Sequence, residues 1–132
     1  MKGIILAAIA AIASPAAAAD QFDLVCSGTR TWSTHGKPEP YQIRYRIDLS
    51  TGSWCREACT QVQPFASVDA GQLVFSKRDT GEPTDIWTLQ RVNRSSGNWE
   101  YKITSPGING TKMEAKGHCE KADFSGFPPN KF

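Results

Sequence analysis

Few of the groups that carry catalysis are present in this 132-residue sequence: it has two histidines and two methionines, and its charges nearly cancel, with 15 Lys and Arg against 13 Asp and Glu. A dedicated nucleic-acid binder shows a large basic excess, so this balance excludes that class. No five like charges stand in a row, which leaves no polybasic stretch for a membrane surface. No Gly-x-Ser-x-Gly elbow presents a serine nucleophile. No Cys-x-x-Cys is available for thiol redox work. Beyond residue 20 no segment carries a helical period, which excludes a helical bundle.

What is present begins with an apolar leader. Lys2 precedes a run of about ten apolar residues, then Pro15 and a string of small residues ending at Ala19, the tripartite form of a secretory signal peptide. The run is too short for a stable membrane span. Residues 1–19 are therefore expected to be removed, leaving about 113 residues, enough for a single domain. The expected destination is the periplasm or the exterior.

Four cysteines, at 26, 55, 59 and 119, then favour disulfides over metal or redox chemistry. Three pairings are open, and strand parity chooses among them. Residues 41–49 alternate strictly, with apolar Tyr41, Ile43, Tyr45, Ile47 and Leu49 on one face, the signature of a half-buried strand. The same parity puts Phe22, Leu24 and Cys26 on the apolar face of the first strand. In the last strand, residues 111–120, it puts Met113, Ala115 and Cys119 on one face, with Lys116 and His118 on the other. Two inward cysteines on the first and last strands can bond if those strands are neighbours. The expected pairs are Cys26–Cys119 and Cys55–Cys59, the long one closing the sheet and the short one fixing a bend.

Further strands are read at residues 61–68, 72–76, 86–92 and 99–103, separated by turns such as Asp69-Ala70-Gly71 and Ser95-Ser96-Gly97. Seven or eight short strands predict an all-β antiparallel meander, rolled into a small closed or nearly closed barrel, with a β-sandwich as the alternative. The domain spans residues 20–123. The tail, residues 124–132, holds Pro128 and Pro129 and is excluded from a central strand. It either caps an open end of the barrel with its phenylalanines or frays.

Candidate chemistry is sparse. His35 lies in a polar run with Gly36 and Pro38, where a solvated loop histidine is the default. His118, Cys119 and Glu120 are adjacent on one strand and point to opposite faces, so they do not converge on a metal. Asp79, Glu82 and Asp85 share one loop and suggest either solvated turn carboxylates or, failing that, a calcium clasp or a paired-carboxylate hydrolase. Asn93-Arg94-Ser95 and Asn109-Gly110-Thr111 match the glycosylation sequon and are read as turns. Of the tryptophans, Trp99 shares parity with Tyr101 and Ile103 and belongs to the core. Trp32, beside Ser33 and Thr34, reads as a loop residue that stacks on a ligand or anchors a partner.

Phe22-Asp23-Leu24-Val25-Cys26-Ser27-Gly28, Trp54-Cys55 and the closing Gly117-His118-Cys119 give a layout that resembles small periplasmic β-domain proteins of Gram-negative bacteria. Ser96-Gly97 followed by Tyr101, and Lys116-Gly117, resemble motifs of the periplasmic C-type lysozyme inhibitor family, with Tyr101 one residue later than in that family. The resemblance implies a small antiparallel barrel in which Ser96 and Lys116 touch a protein partner. The expectation is a monomeric, non-enzymatic envelope protein without metal or cofactor that binds a protein or small ligand through Ser96, Lys116 or Trp32. The alternatives are a lysozyme-inhibitor-like protein, a small hydrolase and an apolar-ligand carrier.

Overall fold

The computed structural model describes residue 3 and residues 20–78, 86–106 and 110–129; the expected leader at residues 1–19 therefore lies outside the described residues apart from Gly3. Within them one antiparallel sheet is built from β1 (Gln21–Trp32), β2 (Glu39–Asp48), β3 (Ser53–Arg56), β4 (Gln63–Pro64), β5 (Ser67–Val68), β6 (Gln72–Arg78), β7 (Trp87–Asn93), β8 (Asn98–Thr104) and β9 (Lys112–Ala122). The strand order is β4-β3-β2-β1-β9-β8-β7-β6-β5. Read around the curl, this is simply chain order. The protein is an up-and-down meander curled into a half-barrel, with its first and last strands paired side by side. The strand count exceeds the expected seven or eight because residues 61–68 do not form one strand.

That segment is where the sheet stops. Gln63 and Pro64 pair with β3 at one edge, and Ser67 and Val68 pair with β6 at the other. Phe65 and Ala66 cross between the edges: the Phe65 amide donates to the Gly52 carbonyl at 3.0 Å, and the Ala66 amide to that of Val74 at 2.9 Å. Pro64 has no N–H to offer a further strand, which suits a sheet edge.

The opposite side is tightly joined. Cys26 stands directly across from Cys119 in the β1–β9 register, and the two are bonded. Two residues further on, Gly28 faces Gly117, and a Cβ on either would collide with the backbone of the other strand. The flanking partners exploit the missing side chains. Tyr41 lies opposite Gly28 on β2 and Trp99 opposite Gly117 on β8; their rings reach over the glycines and stack with centroids 5.9 Å apart. Inside the curl Tyr45, Trp54 and Phe75 are buried, with the Tyr45 and Phe75 rings stacked at 4.0 Å and Trp54 edge-on to Phe75 at 5.3 Å.

Cys55 and Cys59 form the second bond. Between them the chain turns sharply: Glu57 (φ 51°) and Cys59 (φ 56°) both occupy the left-handed region, which costs energy for residues other than glycine. Three bonds to β2 hold this turn, one of them donated by the Arg46 guanidinium to the Glu57 carbonyl at 3.0 Å. The Glu57 amide donates to the Arg44 carbonyl at 2.9 Å, and the Arg44 amide donates to the Glu57 carboxylate at 3.1 Å.

The tail neither caps an open end nor frays through residue 129. Asp23, on the outward parity of β1, is fully buried beneath it. The Ser125 hydroxyl donates to the Asp23 carboxylate at 2.6 Å and Arg44 binds it at 2.5 Å, while Arg46 donates to the Gly126 carbonyl at 2.9 Å. A buried carboxylate requires such partners, and the tail supplies two of them, the Ser125 hydroxyl and the Ser125 amide, which donates to Asp23 at 3.2 Å. Burial alone would raise the Asp23 carboxyl, but the Ser125 and Arg44 bonds outweigh it and hold it below the usual carboxylate range.

Candidate functional site

The residues singled out from sequence do not converge. Trp32 is the last residue of β1, not part of a polar loop, and is half-buried against the core. The Arg30 guanidinium lies over its ring at 5.5 Å and over Tyr41 at 4.6 Å. It extends the strand because both neighbours pair with β1 almost to its end, a tertiary effect that its Ser/Gly/Thr-rich sequence does not signal. Ser96 is exposed in the β7–β8 turn, its carbonyl 2.8 Å from His118 Nε2. Lys116 is exposed on the outer face of β9, between Thr29 and Glu100. No hydrogen bond joins Ser96 to Lys116 among the described residues. His35 is exposed in the β1–β2 turn, and Cys119 is committed to its disulfide. Asp79, Glu82, Asp85 and Asn109 lie outside the described residues.

The arrangement that does converge lies inside the curl, at the open side. A cleft of about 550 Å³ is bounded by Phe65 and Ala66 at the seam, Trp54 and Phe75 in its floor, and Arg56, Ser76, Gln90 and Tyr101 on its walls. That volume falls in the range of small-molecule sites, roughly 300–1,000 Å³. Ile86, half exposed, stands at its lip.

Local structure aims each wall group. The β6–β7 register runs from Val74 opposite Arg91 directly to Ser76 opposite Gln90, so Phe75 is the extra residue of a β-bulge. Simple alternation would turn Ser76 outward; the bulge returns it to the inside, one residue early. There the Gln90 amide donates to the Ser76 hydroxyl at 3.0 Å. Gln90 in turn accepts from the Tyr45 hydroxyl at 2.7 Å, and Tyr45 accepts from the Trp99 indole N–H at 3.1 Å. This buried chain crosses the curl from β8 to β2 to β7 to β6 and fixes the side chains of the wall. Burial pushes the Tyr45 hydroxyl far above its ordinary value, so it stays protonated as a donor.

Arg56 points inward from β3 and donates to the Tyr101 hydroxyl at 3.1 Å. Burial works against its charge, but the Tyr101 bond more than offsets this, and the guanidinium stays cationic. The same pair also walls a second cleft of about 420 Å³, which reaches past Arg56 to Arg30, Trp32 and Met113. Trp32 thus borders the interior groove after all, from the far end. Arg56, Ser76 and Gln90 carried no signal in the sequence: Arg56 sits inside a disulfide loop, and the bulge hides the parity of Ser76. Tyr101 read as core, which it is for its ring but not for its hydroxyl. The chain matches no family model, no curated protein and no solved structure.

Proposed function

We propose that the protein is an exported binding module that holds a small ligand in the open mouth of its half-barrel. The observation that carries this reading is the 550 Å³ cleft at the seam, where aromatic rings form a floor and polar groups from β3, β6, β7 and β8 converge on one space. Rigidity supports it further: the wall is braced by the Trp99–Tyr45–Gln90–Ser76 chain, and a preorganised wall lowers the ordering cost of binding. Two disulfides suit a life in an oxidising compartment, the one to which the leader would direct the chain.

The reading is tested by recording amide spectra of the disulfide-intact protein against a set of acidic, neutral and basic small-molecule fragments. Shifts grouped at Trp54, Phe65, Ser76 and Gln90 are expected. A set in which no fragment moves those amides, or in which every shift gathers on the outer face around Ser96 and Lys116, would overturn it.

A further inference from the structure

The donors and acceptors around the cleft are not balanced, and the imbalance specifies a ligand. The cleft's described lining includes Arg56, Lys77 and Arg78 and no carboxylate. Other arginines are spoken for: Arg30 is paired with Glu39, Arg44 with Asp23 and Arg91 with Glu100, and Arg46 and Arg94 bind backbone carbonyls. Among the described residues the Arg56 side chain hydrogen-bonds only the Tyr101 hydroxyl, which leaves most of its N–H donors without a described protein acceptor.

The two hydroxyls beside it are biased the same way. Tyr101 accepts from Arg56 and Ser76 accepts from Gln90, so each oxygen is already engaged as an acceptor while its proton has no acceptor among the described residues. A hydroxyl in that state offers a donor. Tyr45, by contrast, both accepts from Trp99 and donates to Gln90 and is complete. Arg56, Tyr101 and Ser76 therefore present three kinds of donor to one space above an apolar floor of Trp54, Phe65 and Phe75, with Ile86 at the lip.

We propose that the cleft takes a small organic anion, an apolar body carrying one acidic head group, whose head is bound by Arg56, Tyr101 and Ser76. This rests on the cleft being a binding site and adds the chemistry of what enters it. A guanidinium binds carboxylate, sulfonate or phosphate oxygens through two parallel N–H bonds. The apolar body lies against Phe65 and Ile86, the large apolar side chains of the cleft that are not fully buried.

A matched pair of dyes tests it: 1-anilinonaphthalene-8-sulfonate and N-phenyl-1-naphthylamine share an aromatic body and differ by the sulfonate. The sulfonate dye is expected to bind the folded, disulfide-intact protein saturably and at least tenfold more tightly than the neutral one. Arg56→Met should weaken the sulfonate dye by about ten- to hundredfold, the loss of a bond to a charged group, and leave the neutral dye unchanged. Lys112→Gln makes the same change of charge on the outer face and should alter neither. Tyr101→Phe, which leaves Arg56 in place, should cost the sulfonate dye a few-fold and keeps the test open if Arg56→Met fails to fold. Displacement of the bound dye by decanoate or by 2-naphthoate identifies a chain or a ring as the preferred body. If both dyes bind equally and Arg56→Met affects neither, the anion is wrong while the cleft reading stands. If neither dye binds, both fall.

Discussion

Where β9 meets β1, eleven- and twelve-residue strands pair over the ten positions from Asp23 to Trp32, a disulfide joins them at Cys26 and Cys119, and facing glycines bring the backbones close. Across the curl, β4 and β5 are two residues long, and only Phe65 and Ala66 pass between them. One side is a weld and the other a hinge-like seam. The difference separates two jobs within a single sheet: long pairing near the chain ends secures the curl, while the poorly paired middle leaves its interior open to solvent. A fully paired ring of this size has an interior that side chains alone can fill. An unpaired edge is also an aggregation hazard, which two-residue strands and Pro64 blunt.

The strongest way to break that contrast is to cut the weld. Replacing Cys26 and Cys119 together by alanine should cost about 4–5 kcal/mol, whereas replacing Cys55 and Cys59 should cost about 2 kcal/mol, because the loop closed is so much shorter. Urea unfolding of both double variants measures this, and equal losses would show that the two bonds are not placed as different devices. Next in size is Tyr45→Phe, which strands the Trp99 indole N–H and the Gln90 carbonyl inside the curl and should cost about 2 kcal/mol. A loss below about 0.5 kcal/mol would mean that the chain across the curl is not what braces it.

Acid sharpens the comparison on the outer face of the weld. The folded pKa of Asp23 lies below the unfolded value of about 3.9, so its contribution is complete above that pH and is lost as pH falls through the folded value. Stability should be flat from neutral pH to about 5 and drop below about 4, with exchange of the Ser125 amide rising first. Asp23→Asn should cost about 1–2 kcal/mol at neutral pH. It should reduce the acid dependence without abolishing it, because Asp48, held down by bonds from Ser50 and Gln21, titrates over the same range. An unchanged acid profile in Asp23→Asn would remove the tail from the account. The smallest effect is reserved for the seam. Phe65→Ala should cost only about 1 kcal/mol, since the ring is half-buried rather than enclosed in the core, yet speed exchange of the Ala66 amide. A loss as large as that of the Cys26–Cys119 bond would dissolve the contrast.

Much of the weld was legible in the sequence because it is written in parity. Alternation along residues 41–49 identified β2, and the shared inward parity of Cys26 and Cys119 identified their bond and the pairing of first and last strands. The seam was not legible. Val62, Phe65 and Val68 give residues 61–68 strand character despite Pro64, and only the closing curvature of the whole sheet decides that two of them pair one way and two the other. The cleft was hidden for a related reason: a bulge at Phe75 reverses the parity by which Ser76 would have been placed outside. Asp23 looked like an ordinary outward residue of an edge-to-middle strand. Its burial depends on a tail about a hundred residues later, which no local pattern reports.

Because the first and last strands lie side by side while the gap falls in mid-chain, the order of the sequence is not the order in which the sheet must be cut. A circularly permuted chain could join residue 129 to residue 20 by a linker and begin at Ser67, ending at Ala66. Every ladder between neighbouring strands would survive, and both new ends would emerge at the mouth of the cleft. The protein's own topology thus marks residues 66 and 67 as the place where a second domain, a reporter or a tether could be grafted beside the cleft without unpicking the fold.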